Sequence, residues 1–225
     1  MKKILSTLGF CLFTILATAQ SNESKSGNYD IRDFGAVGDD QTINTKAIQD
    51  AIDTCTSNGG GTVLVPNGKF RTGTIQLKDN VTIHFSPSGE IVGSTNRADY
   101  LNRNQMIERG VGPGNGNIVL LFAANAKNIA IEGHGTIDGD GGGFYTGRGD
   151  GSGPKTDPRA TQVSPTNAPN VDRPHLMVFN HCERLTIRDV YLTRSAYHCV
   201  RILQCKNVLF DGITIYNRVN FNNDG

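Results

Sequence analysis

The segment Cys182-Glu183-Arg184-Leu185-Thr186-Ile187 returns 23 residues later as Cys205-Lys206-Asn207-Val208-Leu209-Phe210, and this period constrains the fold more than any other feature of the chain. A repeat of roughly 20 to 50 residues marks a stacked architecture, in which each unit buries its apolar face only against its neighbours. Shorter runs of the same form precede it: Gly61 to Val65, Asn80 to Phe85, Asn117 to Phe122 and Asn128 to Ile131. Several open on asparagine and then alternate apolar and polar residues, the pattern of a half-buried strand. The 27 glycines and the absence of tryptophan agree with many short strands and frequent turns. One coil of a parallel β-helix has about this length, and its equivalent residues lie one strand spacing apart, about 4.8 Å. Cys182 and Cys205 are therefore expected as neighbours in an inward-facing ladder. Two readings of that pair stand: two reduced thiols packed as small hydrophobes, or a disulfide between successive turns.

Ahead of the strands, Ala47, Ile48, Ala51, Ile52 and Cys55 recur at helical spacing, with Asn44 in place for an N-cap and Gly59-Gly60-Gly61 as the stop. A stacked sheet needs its first turn covered, because a bare end exposes apolar side chains and unpaired backbone. The spacing predicts one amphipathic helix acting as an N-terminal cap.

The chain opens with Lys2 and Lys3, an apolar run from Ile4 to Leu16, and Ala17-Thr18-Ala19 before Gln20, the form of a signal peptide over residues 1–19. The apolar run is short of the roughly 20 residues that span a bilayer. A soluble, secreted or periplasmic protein is expected, without a membrane. Residues 20–28 read as a flexible polar leader. Residues 29–225 read as one β-helix domain. With 22 basic and 21 acidic residues the net charge is +1, and loss of the two leading lysines leaves it near neutral. That balance argues against a nucleic-acid partner, which usually demands a basic excess. Cys11 falls within the removed segment, so Cys55, Cys182, Cys199 and Cys205 remain, too few for a disulfide scaffold. A glycine- and proline-rich stretch at about 139–174 breaks the strand pattern and reads as a loop excursion. Such a loop either supplies binding contacts or is a surface excursion without function.

The segment Tyr29-Asp30-Ile31-Arg32-Asp33-Phe34-Gly35-Ala36-Val37-Gly38-Asp39, the helix after it, and Gly59-Gly60-Gly61-Thr62-Val63 through Pro66 resemble the opening of pectin-active β-helix proteins. Gly133-His134-Gly135-Thr136-Ile137-Asp138-Gly139 and the terminal Asn222-Asn223-Asp224-Gly225 narrow this to a resemblance to the polygalacturonase family, glycoside hydrolase family 28. The resemblance implies a right-handed parallel β-helix, all-β apart from its cap and truncated at its C-terminal end. It implies a pectin-type acidic polysaccharide as substrate, no cofactor and no metal, and a monomer at full length. In the family, an Asn-x-Asp-Gly segment supplies the first of three catalytic aspartates, and Asn222 and Asp224 fall on it. The Asp-Asp, Gly-His-Gly and Arg-x-Lys motifs that follow in the family are absent. His134 precedes the aspartate, belongs to a turn, and is not counted as catalytic.

Inverting glycoside hydrolysis needs a carboxylic acid to protonate the leaving oxygen and a carboxylate to activate water, roughly 6.5–9.5 Å apart. Asp224 alone cannot do both, so this chain is expected to lack full activity. The period also sets Arg201 beneath Asp224 if the turns are equal in length. There it would favour the ionised aspartate and meet carboxylates of an acidic polysaccharide, or else form a structural ion pair. Tyr197 and His198 occupy the same rung, where the family tends to place aromatic and histidine residues near the cleft. Tyrosine offers a sugar a flat amphipathic face; His198 either hydrogen-bonds a sugar hydroxyl or is structural. Asn222, Arg201, His198 and Tyr197 are the expected substrate-binding residues and Asp224 the catalytic one. Asp224 also has a plain turn reading, since Asn-Asp-Gly forms turns without chemistry. Two other classes remain open on the same scaffold: a calcium-dependent pectate lyase, which needs a carboxylate cluster, and a non-catalytic polysaccharide-binding or tailspike-like module.

Overall fold

A computed structural model describes residues 27–111, 118–144 and 173–218. The expected signal peptide, the first part of the leader, most of the loop excursion, and Asn222 and Asp224 lie outside the described residues.

Three sheets, parallel throughout, wind as a right-handed parallel β-helix. The first sheet runs β1 (Gly27–Asp30), β2 (Gly61–Val65), β5 (Val81–Phe85), β8 (Lys127–Gly133), β11 (Glu183–Arg188) and β14 (Lys206–Asp211). The second runs β3 (Gly68–Thr72), β6 (Gly89–Gly93), β9 (Thr136–Asp138), β12 (Tyr191–Thr193) and β15 (Thr214–Tyr216). The third runs β4 (Ile75–Gln76), β7 (Val119–Ala124), β10 (His175–Asn180) and β13 (Val200–Leu203). Gly27 and Asn28, expected in the leader, instead begin β1 and pair with Gly61 and Thr62. A polar sequence sufficed there, since the backbone ladder and not the side chains supplies the pairing.

Side chains of one column stack from coil to coil. Val63, Ile83, Ile131 and Ile187 pair in register through the first sheet and are all buried. Phe70, Ile91, Ile137 and Leu192 do the same through the second. Their successors Phe210 and Ile215 are 38% and 39% exposed, so the core is open at the last described coil. The opposite end is closed by α1 (Thr45–Ser57), which buries Ala47, Ile48, Ala51, Ile52 and Cys55. Asn44 sits at the N-cap position but makes no side-chain cap. Its amide accepts from Val37 N (2.7 Å) and donates to the carbonyls of Val37 and Thr42, tying the entry loop instead.

The recurring asparagines have a backbone cause. Asn80, Asn128 and Asn207 open their runs with φ of +61°, +54° and +55°, in the left-handed region that Asn tolerates better than most residues. Arg184 holds the same place in its coil at φ +57°. The turn is stitched across coils, with Asn128 Nδ2 donating to Asn80 Oδ1 (2.6 Å) and Arg184 Nε donating to Asn128 Oδ1 (2.5 Å). Cys182 and Cys205 are in register and both thiols are free; the Cys182 backbone N–H donates to Cys205 Sγ at 3.3 Å. Burial chiefly pushes the Cys182 thiol up, to about 11.

The Gly-x-Gly-Thr-Ile-Asp-Gly motif is a packing device. His134 is exposed in the turn, while a Cβ on Gly135 would stand 2.4 Å from Phe85 Cβ. Asp138 is buried and ion-paired to Arg194 (2.6 Å), which also reaches Asp140 (2.8 Å). Asp140 in turn meets Arg71 (2.9 Å), and Arg71 meets Asp40 (2.8 Å). This network pins the first residues of the loop excursion to three coils at once. Glu90 lies alongside, paired to Lys69 at 3.2 Å. Burial raises its carboxyl above the ordinary range, Lys69 opposes this, and neighbouring Asp138 adds to the rise.

Phe179→Ala, at a fully buried position of β10, is expected to cost about 3–5 kcal/mol in a denaturant titration, the range for emptying a buried aromatic site. Because Glu90 holds its proton more tightly when folded, its contribution to stability is full below the ordinary carboxylate range and is lost as pH rises through its raised value. Thermal melts against pH should show that loss, and Glu90→Gln should flatten it. The Cys182 thiol should resist iodoacetamide at neutral pH in the native chain and react once urea is added, read by mass spectrometry.

Candidate functional site

The four-stranded sheet turns Leu121, Met177 and Val200 inward in one ladder and Ala123 and Phe179 inward in another. The alternation of a strand then directs Phe122, Val178 and Arg201, which pair in register between those ladders, to the outer face. At the leading edge of the same face, the sequence places a compact group of rings and cations.

His175, only 1% exposed, stacks on His198 with ring centroids 5.3 Å apart and planes at 26°. Tyr197 meets His198 edge-on at 4.2 Å and lies 4.9 Å from His175. The buried guanidinium of Arg173 lies over the Tyr197 ring, 4.8 Å from its centroid, and donates to Ala196 O at 3.1 Å. Such a cation over an aromatic face is stabilising, more so when desolvated. Burial pulls the Arg173 guanidinium below its ordinary value, with Tyr197 opposing. Arg201 Nη1 stands 3.4 Å from His175 Nε2. Arginine only donates, so a hydrogen bond between them makes Nε2 the acceptor. His175 thus presents a ring nitrogen to the Arg201 guanidinium.

The backbone before β13 is also fixed. Ser195 Oγ donates to Tyr197 O (2.7 Å) and to His198 O (3.1 Å), and Ser195 N donates to Asn217 Oδ1 (3.0 Å). Tyr197, His198 and Arg201 are half-buried, each with part of its surface open. A guanidinium fork can pair with an anionic group, and the rings beside it offer flat amphipathic faces. Among the described residues no group of three or more His, Cys, Asp or Glu is placed to hold a metal ion, and no helix is long and apolar enough to cross a membrane.

Of the residues singled out from sequence, Tyr197, His198 and Arg201 come together on one face; Asn222 and Asp224 lie outside the described residues. Arg173 and His175 were not anticipated. His175 was legible, since it stands one repeat before His198. Arg173 borders the irregular stretch and carried no signal.

Residues 29–216 match the family model described as rhamnogalacturonase A/epimerase, pectate lyase-like. The "Probable polygalacturonase" of Vitis vinifera is 30% identical over 190 residues, covering 81% of this chain and 35% of that protein. The exo-poly-alpha-D-galacturonosidase of Dickeya chrysanthemi is 36% identical over 117 residues, 49% of this chain and 19% of its own length. The chain thus spans about a third or less of these relatives. Among solved structures, the family 28 exopolygalacturonase of Yersinia enterocolitica superposes with a TM-score of 0.65 at 25% identity, covering 86% of this chain and 39% of that one. The continuous match of the family model across all three sheets shows that the chain belongs to the rhamnogalacturonase A/epimerase, pectate lyase-like family.

Proposed function

We propose that the chain is the N-terminal part of a secreted glycoside hydrolase that cleaves α-1,4-galacturonosyl or related linkages of pectin with inversion. The observation that supports this best is the pairing of a half-open guanidinium, Arg201, with the ring group Tyr197, His198 and His175 on the outer face of the four-stranded sheet. Pectin is a polyanion of sugar rings, and this face offers a cation and flat polar rings together. The names of the polygalacturonase relatives point the same way.

In this reading Asp224, one period after Arg201, is the carboxylate that activates water, and Asn222 contacts substrate. Arg201 beneath it favours its ionised form. The general acid comes from residues beyond Gly225. Residues 1–19 direct export. The 225-residue chain binds uronate polymer and cleaves it poorly or not at all.

The deciding experiment expresses the complete reading frame and incubates it with polygalacturonate. New reducing ends without unsaturated sugar ends are expected. Unsaturated ends would move the assignment to a lyase, and binding without cleavage would leave a polysaccharide-binding module. Within the 225-residue chain, Arg201→Ala should weaken polygalacturonate binding by about tenfold or more, since a hydrogen bond to a charged group is worth about 1.5–3 kcal/mol. Arg201→Lys should recover part of that loss, and added salt should lower the affinity of the parent chain more than that of Arg201→Ala, both read by calorimetry.

A further inference from the structure

Cys182 and Cys205 are successive members of one inward column, held in register from both sides. Asn180 pairs with Leu203 ahead of them and Glu183 with Lys206 behind. The backbone bonds between these two coils continue through the turn, His181 N donating to Leu203 O (2.8 Å) and Lys206 N to Cys182 O (2.9 Å). Their α-carbons therefore lie one strand spacing apart, about 4.8 Å, inside the roughly 4.4–6.8 Å that a disulfide bridges. The two thiols also lean alike. Each donates to the carbonyl two residues before it, Cys182 Sγ to Asn180 O (3.5 Å) and Cys205 Sγ to Leu203 O (3.4 Å). Cys205 Sγ in turn accepts from the Cys182 backbone N–H at 3.3 Å, which holds that sulfur against the coil before its own.

No other thiol is so placed among the described residues. Cys55 lies on α1 at the capped end. Cys199 stands one residue ahead of the Met177–Val200 pair, so its neighbour in the coil before is Leu176. Beneath Cys182 the column continues only as the methyl of Ala126. The pair differs in access: Cys182 is 1% exposed, whereas Cys205 is half-open, so a reagent from solvent meets Cys205 first.

We infer that Cys182 and Cys205 are a redox site, at which a small-molecule disulfide of the glutathione type oxidises the pair to a disulfide between successive coils. The Cys205 thiolate, its proton released to solvent, attacks one sulfur of the reagent; a mixed disulfide forms and one glutathione thiolate leaves. Cys182, after releasing its own proton, attacks Cys205 Sγ, and the second glutathione thiolate leaves. Two protein thiols have then lost two electrons and two protons, and the reagent has become two thiols. The bridge closes residues 182–205 into one covalent loop, a whole coil that carries Ser195, Tyr197, His198 and Arg201. It clamps the coil bearing the ring group onto its predecessor, and reduction releases it. The inference stands apart from the uronate reading of that group.

The test treats the folded 225-residue chain, purified under reductant, with glutathione disulfide, quenches it in acid and maps its peptides by mass spectrometry. One cross-link is expected, between the peptides that carry Cys182 and Cys205, with Cys55 and Cys199 still reduced. In Cys182→Ala the glutathione should instead stay on Cys205 as a mixed disulfide. The bridged chain should melt about 5–10 °C above the reduced one, because closing a loop restricts the unfolded chain, and dithiothreitol should abolish the difference. Glutathione retained on Cys205 of the parent chain, both thiols unchanged, or a bond to Cys55 or Cys199 would each overturn the bridge. A bridge that leaves the melting temperature where it was would overturn the clamp. If Cys182→Ala does not fold, the cross-link map of the parent chain decides alone.

Discussion

The in-register stacking of parallel strands, coil upon coil, is the constraint on which everything else in this molecule depends. Each coil fixes the position of the next through three ladders at once. A side chain therefore has its neighbours decided by the residues one coil before and after it, far more than by those next to it in sequence. The isoleucine columns of the first sheet, the paired thiols and the left-handed turn residues are consequences of one translation. A one-residue slip would turn every inward column outward, so the period is enforced by the whole core.

The same translation explains what could be read from the sequence. Where the period is intact, as between Cys182 and Cys205 or between His175 and His198, adjacency in space follows from spacing alone. The cap helix was legible because its apolar spacing is local. Reading failed where a side chain serves a distant backbone or leaves the repeat. Asn44 looks like a helix cap and is spent on the entry loop. The Arg71 to Asp140 pair spans 69 positions and belongs to no period. The short helix Arg103–Glu108 comes from an insertion between repeats, and its packing through Met106 on Phe122 and Val178 follows from no period.

The two outer faces are used differently. Beside the five-stranded sheet, arginines and carboxylates satisfy one another in a closed network, with Asp138 buried beneath Arg194. Breaking such a buried pair leaves an uncompensated charge, which makes this side a fastening for the loop excursion. On the four-stranded sheet, Arg201 is met instead by a ring nitrogen of His175.

The capped end gives the molecule a polarity that bears on how it forms. Because α1 closes the side of β1 and β2, the assembled part always presents three free strand edges toward the C-terminal coils. A chain delivered N-terminus first meets a finished template at each stage, and every new coil adds to the edge left by its predecessor. The direction of synthesis and the direction of growth coincide, so each loop-closure cost is limited to one coil and is met as the chain emerges.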